Sequence, residues 1–438
     1  MERRRPGRPR ETDQTVAYLL AFLTLPFLQV GLSFYVSGMT VVALLMLAKF
    51  RQQIMVSILS HPMRTLICCL AFIMPLMFPF EIDGQDVGRV LRETVFILLM
   101  VSAFGVVSEQ MNNETVRKLT SYIYILIGFY FVLSLVQTAL LSRQIYFGLP
   151  RNIFVANEAT IPGELDLLYS KIRATGTFGE PSYLGFILTS LAFTLFPLAK
   201  KWVAPRIAIL LVVLTALISQ SLSFFIAMAL LVAYERPGFK ELKITFVLPA
   251  IIIACIMGIY FFDVMESFLG RVTSLSNSSA EPSGFVRIFG PISILPEFLA
   301  EFPTGVPFYK LYAILEMYVP IGLRPLSFYD NGLINFVLDF GFYGFLLLYI
   351  YFASVNDGAS RIYLFAAGIF NGALLSPDKV GVMILVLSLY NSFVIYARNQ
   401  DRRGAPAQAA SAMSSPGRRA RPSPAHLPSL RARRIPDA

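Results

Sequence analysis

Histidine is nearly missing from this chain, with two among 438 residues. His61 stands just ahead of an apolar run and His426 lies near the end. Neither has an acidic or serine partner at useful spacing. Most histidine-based chemistry and any His-rich metal site are thereby excluded. Cysteine is scarce as well. Cys68, Cys69 and Cys255 fall inside apolar runs, with no ligand spacing and no pair in a watery loop, so they read as packing residues. No Gly-rich loop closes on Lys and Ser or Thr, so nothing points to nucleotide hydrolysis. The largest deficit is charge: 15% of the residues are Asp, Glu, Lys or Arg, where a soluble domain carries roughly a quarter.

What fills the space is apolar. Hydrophobic residues make up 56% of the chain and the mean hydropathy is +0.64. Charge-free runs cover 16–48, 119–142, 182–199, 207–234, 244–262, 340–356 and 380–397. A bilayer core about 30 Å thick takes about 20 residues of helix. The run at 16–48 is too long for one span and reads as a pair turning between Gly31 and Gly38, while 203–234 divides near Ser219–Ser221. The shorter runs 65–80 and 94–107 can span if Arg64, Arg89 and Arg92 snorkel to the interface. The runs are apolar on every face rather than alternating, which selects helices over a membrane barrel. The expected fold is all-α: a polytopic membrane protein with about twelve transmembrane helices.

Orientation follows the Lys and Arg. Arg3, Arg4, Arg5, Arg8 and Arg10 precede the first span. Alternate connections carry Lys49 and Arg51, Arg117 and Lys118, Lys200, Lys201 and Arg206, then Arg236, Lys240 and Lys243, and Arg361. That side is expected to be cytoplasmic, with both termini on it. Asp378 and Lys379 punctuate a short turn on the opposite side. The division is then a basic cytoplasmic N-terminus at 1–15, a membrane domain at 16–397 and a tail at 398–438. The tail holds nine Arg and two Asp, 9 − 2 = +7 of the formal +10. Its Ala, Pro, Ser and Arg composition predicts disorder on the cytoplasmic face, as a solvated positive-inside tail or, alternatively, one that binds anionic head groups. The high pI therefore gives no reason to expect nucleic acid.

Two connections are long, about 142–182 and 263–330, and the alternation puts both outside. Loops of that length are functional or disordered, and these carry apolar residues at helical spacing, as in Phe285–Leu299 and Leu311–Val319. Both suit amphipathic segments on the membrane surface. They also hold cations on the side that should have few: Arg143, Arg151, Lys171 and Arg173 in the first, Arg271, Arg287, Lys310 and Arg324 in the second. Local pairing with Glu164, Asp166, Glu281, Glu297 or Glu301 is one explanation. A site for an anionic ligand at the outer leaflet is the other, because the planar guanidinium fork suits a pyrophosphate.

Two stretches sharpen the second explanation. Residues 172–186 read IRATGTFGEPSYLGF, in which Gly176 and Gly179 permit sharp turns and Pro181 suits a first helical turn. Glu180 then sits at a helix N-terminus, either as a cap folding the loop toward Arg173 or as a base or sugar-hydroxyl acceptor. Residues 324–344 read RPLSFYDNGLINFVLDFGFYG. Asp330 is placed to cap the following helix. Asp339 lies about two turns deeper, where an acid is either functional or held by a buried structural bond.

These stretches resemble the Wzy-type polysaccharide polymerases of the O-antigen polymerase and ligase superfamily. Phe178, Glu180, Pro181 and Ser182 match an FxEPS-type pattern, and Asp330, Asn331, Gly332, Asn335, Phe340, Gly341 and Gly344 match a DNGxxNxxxxFGxxG-like one. The resemblance covers roughly 16–397. It implies a GT-C-like membrane enzyme of the bacterial inner membrane with two long periplasmic loops. Such an enzyme polymerises undecaprenyl-pyrophosphate-linked oligosaccharide repeat units into exopolysaccharide or O-antigen. It implies Arg173, Arg271, Arg287 and Arg324 as substrate-binding cations with Asp339 beside them. Glu180 is then the first candidate for the catalytic base and Asp330 the second. No metal and no cofactor are implied, since the donor carries its own leaving group. A chain-length regulator and a flippase are the implied partners. The related ligases typically use a histidine in an external loop, which this chain lacks. A lipid-linked oligosaccharide flippase, with two similar halves and polar groups at the midplane, and a non-catalytic envelope scaffold are the rivals from other classes.

Overall fold

The computed structural model describes residues 11–33, 36–37, 40–49, 113–150, 173–235, 290–306, 308–318, 331–353, 355–370 and 376–413, with short pieces at 66–67, 69–70, 91, 94–102, 153 and 374. The described chain is helical apart from one two-stranded ribbon. Helix α1 (Glu11–Thr24) runs into a 3-10 turn at Leu25–Phe27. Strands β1 (Gly31–Ser33) and β2 (Val36–Ser37) then pair antiparallel before α2 (Thr40–Lys49). The 16–48 run therefore turns where expected, but through a hairpin that satisfies backbone groups between its own strands.

The next helices are α3 (Asn113–Leu141), α4 (Pro181–Ala199), α5 (Val203–Ile218) and α6 (Leu222–Glu235). The division of 203–234 falls at Ser219–Ser221, as the sequence indicates. There Gln220 adopts a left-handed backbone with φ 49° while almost fully buried, a conformation that costs a non-glycine residue of order 1–3 kcal/mol. The second group comprises α7 (Gly290–Glu301), α8 (Phe308–Tyr318), α9 (Gly332–Phe340), α10 (Phe342–Ala353), α11 (Gly358–Ile369) and α12 (Pro377–Met413). Among the described residues, three helices are long and apolar enough to cross a membrane: Asn113–Leu141, Pro181–Ala199 and Pro377–Gln400.

Helix α4 is the most enclosed of these three. Of its apolar window 94% is buried inside the protein, against 33% for α3, which therefore turns most of its surface outward. Helices α3, α5, α6 and α11 all pack on α4, and α5 also packs on α3. Phe193 of α4 is stacked between Tyr363 of α11 and Tyr390 of α12, with ring centroids 4.5 and 4.3 Å away. Ser190 and the Tyr363 hydroxyl lie 2.9 Å apart, so the buried phenol is satisfied. At the far end of α4, Arg206 donates from Nε to the Ala199 carbonyl at 2.5 Å and from Nη2 to that of Lys200 at 3.1 Å. A cation at a helix C-terminus both caps the last carbonyls and opposes the dipole.

Helices α7 and α8 come from the second long loop. Their apolar faces, with Ile294, Phe298, Leu299, Leu311 and Leu315, pack together with Val306 and onto Val337 and Leu338 of α9. The helical spacing at Gly290–Glu301 and Phe308–Tyr318 thus reports an internal core rather than a face laid on the membrane surface. Tyr318 at the end of α8 donates to the Glu301 carboxylate, and burial together with that acceptor pushes the phenol up to about 12. Helix α12 continues past its apolar part to Met413, and 414–438 lie outside the described residues.

Candidate active site

The segment 173–180 is held by side chains from three directions. Gln137, on α3, accepts at Oε1 from the backbone N–H of Thr175 (3.1 Å) and Gly176 (2.8 Å). Its Nε2 donates to the carbonyls of Gly176 (2.8 Å) and Phe147 (3.0 Å). Gln29, just after the 3-10 turn, accepts from the N–H of Gly179 at 2.8 Å. Thr177 donates to the Pro26 carbonyl at 2.6 Å, which leaves the Tyr130 hydroxyl to donate to Thr177 Oγ1 at 3.1 Å. Phe178 stacks on the Tyr130 ring at 5.7 Å. Gly176 takes φ 63°, where a Cβ would come within 3.1 Å of Leu184 and 3.3 Å of Tyr130.

This scaffold delivers Glu180 to the first turn of α4. Its backbone is extended (φ −140°, ψ 151°), it occupies the N-cap position and Pro181 follows inside the helix. The Glu180 side chain makes no capping bond. Instead Ser182 Oγ donates to its Oε2 at 3.0 Å, and the residue is 9% exposed. The carboxylate therefore makes no cap bond to the backbone of α4. Arg173 stands partly buried at the head of the same segment.

The second motif builds a helix break. Asn331, not Asp330, is the N-cap of α9, and its Oδ1 accepts from the N–H of Leu333 (3.1 Å) and Ile334 (3.3 Å). Asn335 is buried one turn later. Gly341 closes the helix with φ 58°, and α10 starts at once. A Cβ on Gly344 would collide with the Phe336 carbonyl, so the glycine lets α10 lie directly on α9. Residues 303–306 lace into this break, with Val306 N–H donating to Leu338 O and Phe342 N–H to Pro303 O, both at 2.9 Å. Asp339 is on the last turn of α9 beside that lacing, partly buried, with its carbonyl against Gly305.

Both motifs open onto the same end of the bundle. Gly185, one turn into α4, packs against Phe224 near the start of α6 and Phe370 at the end of α11. Gly368 of α11 packs against Leu333 near the start of α9. Phe186 meets the Phe370 ring at 5.9 Å. Lys379, near the start of α12, donates from Nζ to the Phe370 carbonyl at 2.9 Å and lies 6.0 Å over the Phe186 ring. It is 0% exposed. A buried ammonium so placed takes the carbonyl end of α11 and an aromatic face as partners.

A family model described as WcaD colanic acid polymerase matches residues 14–391. The chain belongs to that family. Compared with curated proteins and with solved structures, it has no match. The WcaD match takes in both motifs, both long connections and the buried end of α12, and stops short of the basic tail. Membership makes the chain a Wzy-type polymerase, an enzyme that joins polysaccharide repeat units.

Within this WcaD-family chain the structure joins Glu180, Ser182 and Arg173 on one loop and its helix. Asp339 is on a separate element, at the far end of α9 from the Asn331 cap. Arg271, Arg287, Arg324 and Asp330 lie outside the described residues. Three residues escape a reading by charge and motif. Gln29 and Gln137 are amides inside the long apolar runs 16–48 and 119–142, and that isolation is the signal that marks them. Lys379 passes for punctuation of a turn, although a lysine heading an 18-residue charge-free run cannot stay in water once that run is buried.

Proposed function

We propose that the chain polymerises undecaprenyl-pyrophosphate-linked oligosaccharide repeat units at the periplasmic face of the bacterial inner membrane. In this reading about twelve helices cross the bilayer, both termini are cytoplasmic, and 142–182 and 263–330 are the external loops. A chain-length regulator and a flippase are its working partners.

The observation that carries the reading is the Glu180 carboxylate. It sits at the N-terminus of the most enclosed of the three membrane-length helices among the described residues, makes no cap bond, and lies on a loop fixed by seven hydrogen bonds. Such rigidity suits a group that must meet a reacting hydroxyl at a set distance. In the reaction, a hydroxyl oxygen of the acceptor repeat unit bonds to the anomeric carbon of the growing chain. The bond from that carbon to the pyrophosphate oxygen breaks, and the lipid pyrophosphate leaves with the electron pair. The hydroxyl proton passes to Glu180, with Asp330 as the second candidate. Holding two lipid-linked sugars in register supplies about 7–11 kcal/mol of such a barrier. Arg173, Arg271, Arg287 and Arg324 form the clamp that receives the charge developing on the leaving group, and Asp339 borders it.

The test is genetic. Glu180→Gln keeps the side-chain volume and removes the base. Polymer should be lost at normal protein level, and single repeat units should accumulate on lipid in the outer leaflet. Arg173→Ala should do the same, with Lys a poor substitute for the forked contact. Full-length polymer from Glu180→Gln removes that residue as base, and full-length polymer from Ala at all four arginines removes the clamp. The broken α9–α10 pair is the feature a flippase would share. In that case the units would be retained on the cytoplasmic leaflet.

A further inference from the structure

We propose that Gln137 is a positioning residue for the polymerisation step, acting through the loop that carries Glu180. The inference rests on the reading of Glu180 as the base. Gln137 is 2% exposed and belongs to α3, a helix whose other faces are largely uncovered. Its carboxamide has two N–H donors and two acceptor lone pairs. The four bonds to Phe147, Thr175 and Gly176 use all of them. No other side chain reproduces that pattern: Glu has no N–H to give, Asn is one methylene short, and Met has neither end.

Two consequences follow from where those bonds go. Phe147 is on the outgoing strand of the first long connection, and Thr175 and Gly176 are on its return. One amide therefore fastens both feet of the loop to the wall of the bundle. Downstream, Gln29 fixes Gly179 and Thr177 is tied to Pro26, so no slack remains between the clasp and Glu180. A shift at Gly176 is carried to the carboxylate along a backbone with no free joint. Misplacement of a reacting group by about 1 Å costs on the order of a hundredfold in rate.

The experiment uses the full-length protein in membrane vesicles. The probe is lipid-linked repeat units extracted from a strain that lacks the polymerase. Gln137→Met removes all four bonds, and Gln137→Glu keeps volume and the two accepted N–H bonds while losing both donors. Each should reach the membrane at normal amount and lower turnover by about tenfold to a hundredfold. The KM for repeat units should change by less than about threefold, since the substrate contacts are elsewhere. The decisive arm is a double-mutant cycle with Glu180→Gln in single-turnover assays. If Gln137 acts through Glu180, adding Gln137→Met causes no further loss, whereas an independent structural role makes the losses multiply. Multiplied losses, unchanged turnover in both Gln137 variants, or failure of both to accumulate in the membrane each overturn the proposal. Full turnover from Glu180→Gln alone overturns the base reading instead, and the two failures are told apart by which single variant stays active.

Discussion

Gly176 shows how much of this site depends on one missing methyl group. Its φ of 63° is a conformation that L-residues adopt at a cost, and the space a Cβ would need is shared with Leu184 and Tyr130. Gly176→Ala is expected to lose about 1–2 kcal/mol from the backbone alone, with more from the crowding against Tyr130. Thermal unfolding of the purified protein in detergent should show a lowered midpoint, and polymer yield should fall because the Gln137 bonds meet at this residue. A midpoint equal to that of the parent protein would mean the loop relaxes freely, contrary to the bonds described. At position 331 the chain makes a different use of a small polar group. Asn331 closes the first turn of α9, so Asn331→Ala should cost about 0.5–2 kcal/mol. Asp330→Ala should cost little stability, because the cap is its neighbour. The pair of unfolding midpoints separates cap from candidate base, and equal losses at both positions would contradict that division.

The elements show where an apolar run tells its structure and where it hides it. The turn at Ser219–Ser221 was legible because three polar residues interrupt a run too long for one helix. The break between α9 and α10 was not, since Asp339 and Gly341 amid Leu, Phe and Tyr read equally well as an acid within a continuous helix. What breaks the helix there is geometry: a left-handed glycine, a second glycine that admits the neighbouring helix, and a distant strand of backbone, residues 303–306, that supplies partners. None of these leaves a mark in composition. The motif residues Gly341 and Gly344 are therefore architectural, while Glu180 and Ser182 are the motif positions whose side chains meet. The loop arginines stand out in the sequence because they are cations. The amides that hold the loop in place are visible only once the chain is folded.

For the molecule as a whole, the alternation of basic connections makes a claim that reporter fusions can check. Fusions at Pro150 and Ser278 should report the periplasm and one at Ser415 the cytoplasm. An inside signal at Pro150 would place Arg173 and Glu180 on the wrong face and remove the site with them. The helical character of the chain was plain from its missing charge, and the family match extends across it from residue 14 to 391. The enclosure of α4 was less plain, because a span that faces lipid and one that faces protein are equally apolar.

That enclosure sets a timetable for assembly. Helix α4 is finished by Ala199, but Tyr363 and Tyr390, between which Phe193 is stacked, emerge far later in synthesis. At about 5–20 residues per second the gap lasts roughly 10–40 s. Throughout it, the buried Ser190 lacks its Tyr363 partner and Phe193 lacks both of its stacking rings. The aromatic stack that fixes Phe193 is thus completed only when the last described helix has been made, so the early helices must wait in the membrane with that face of α4 unfilled.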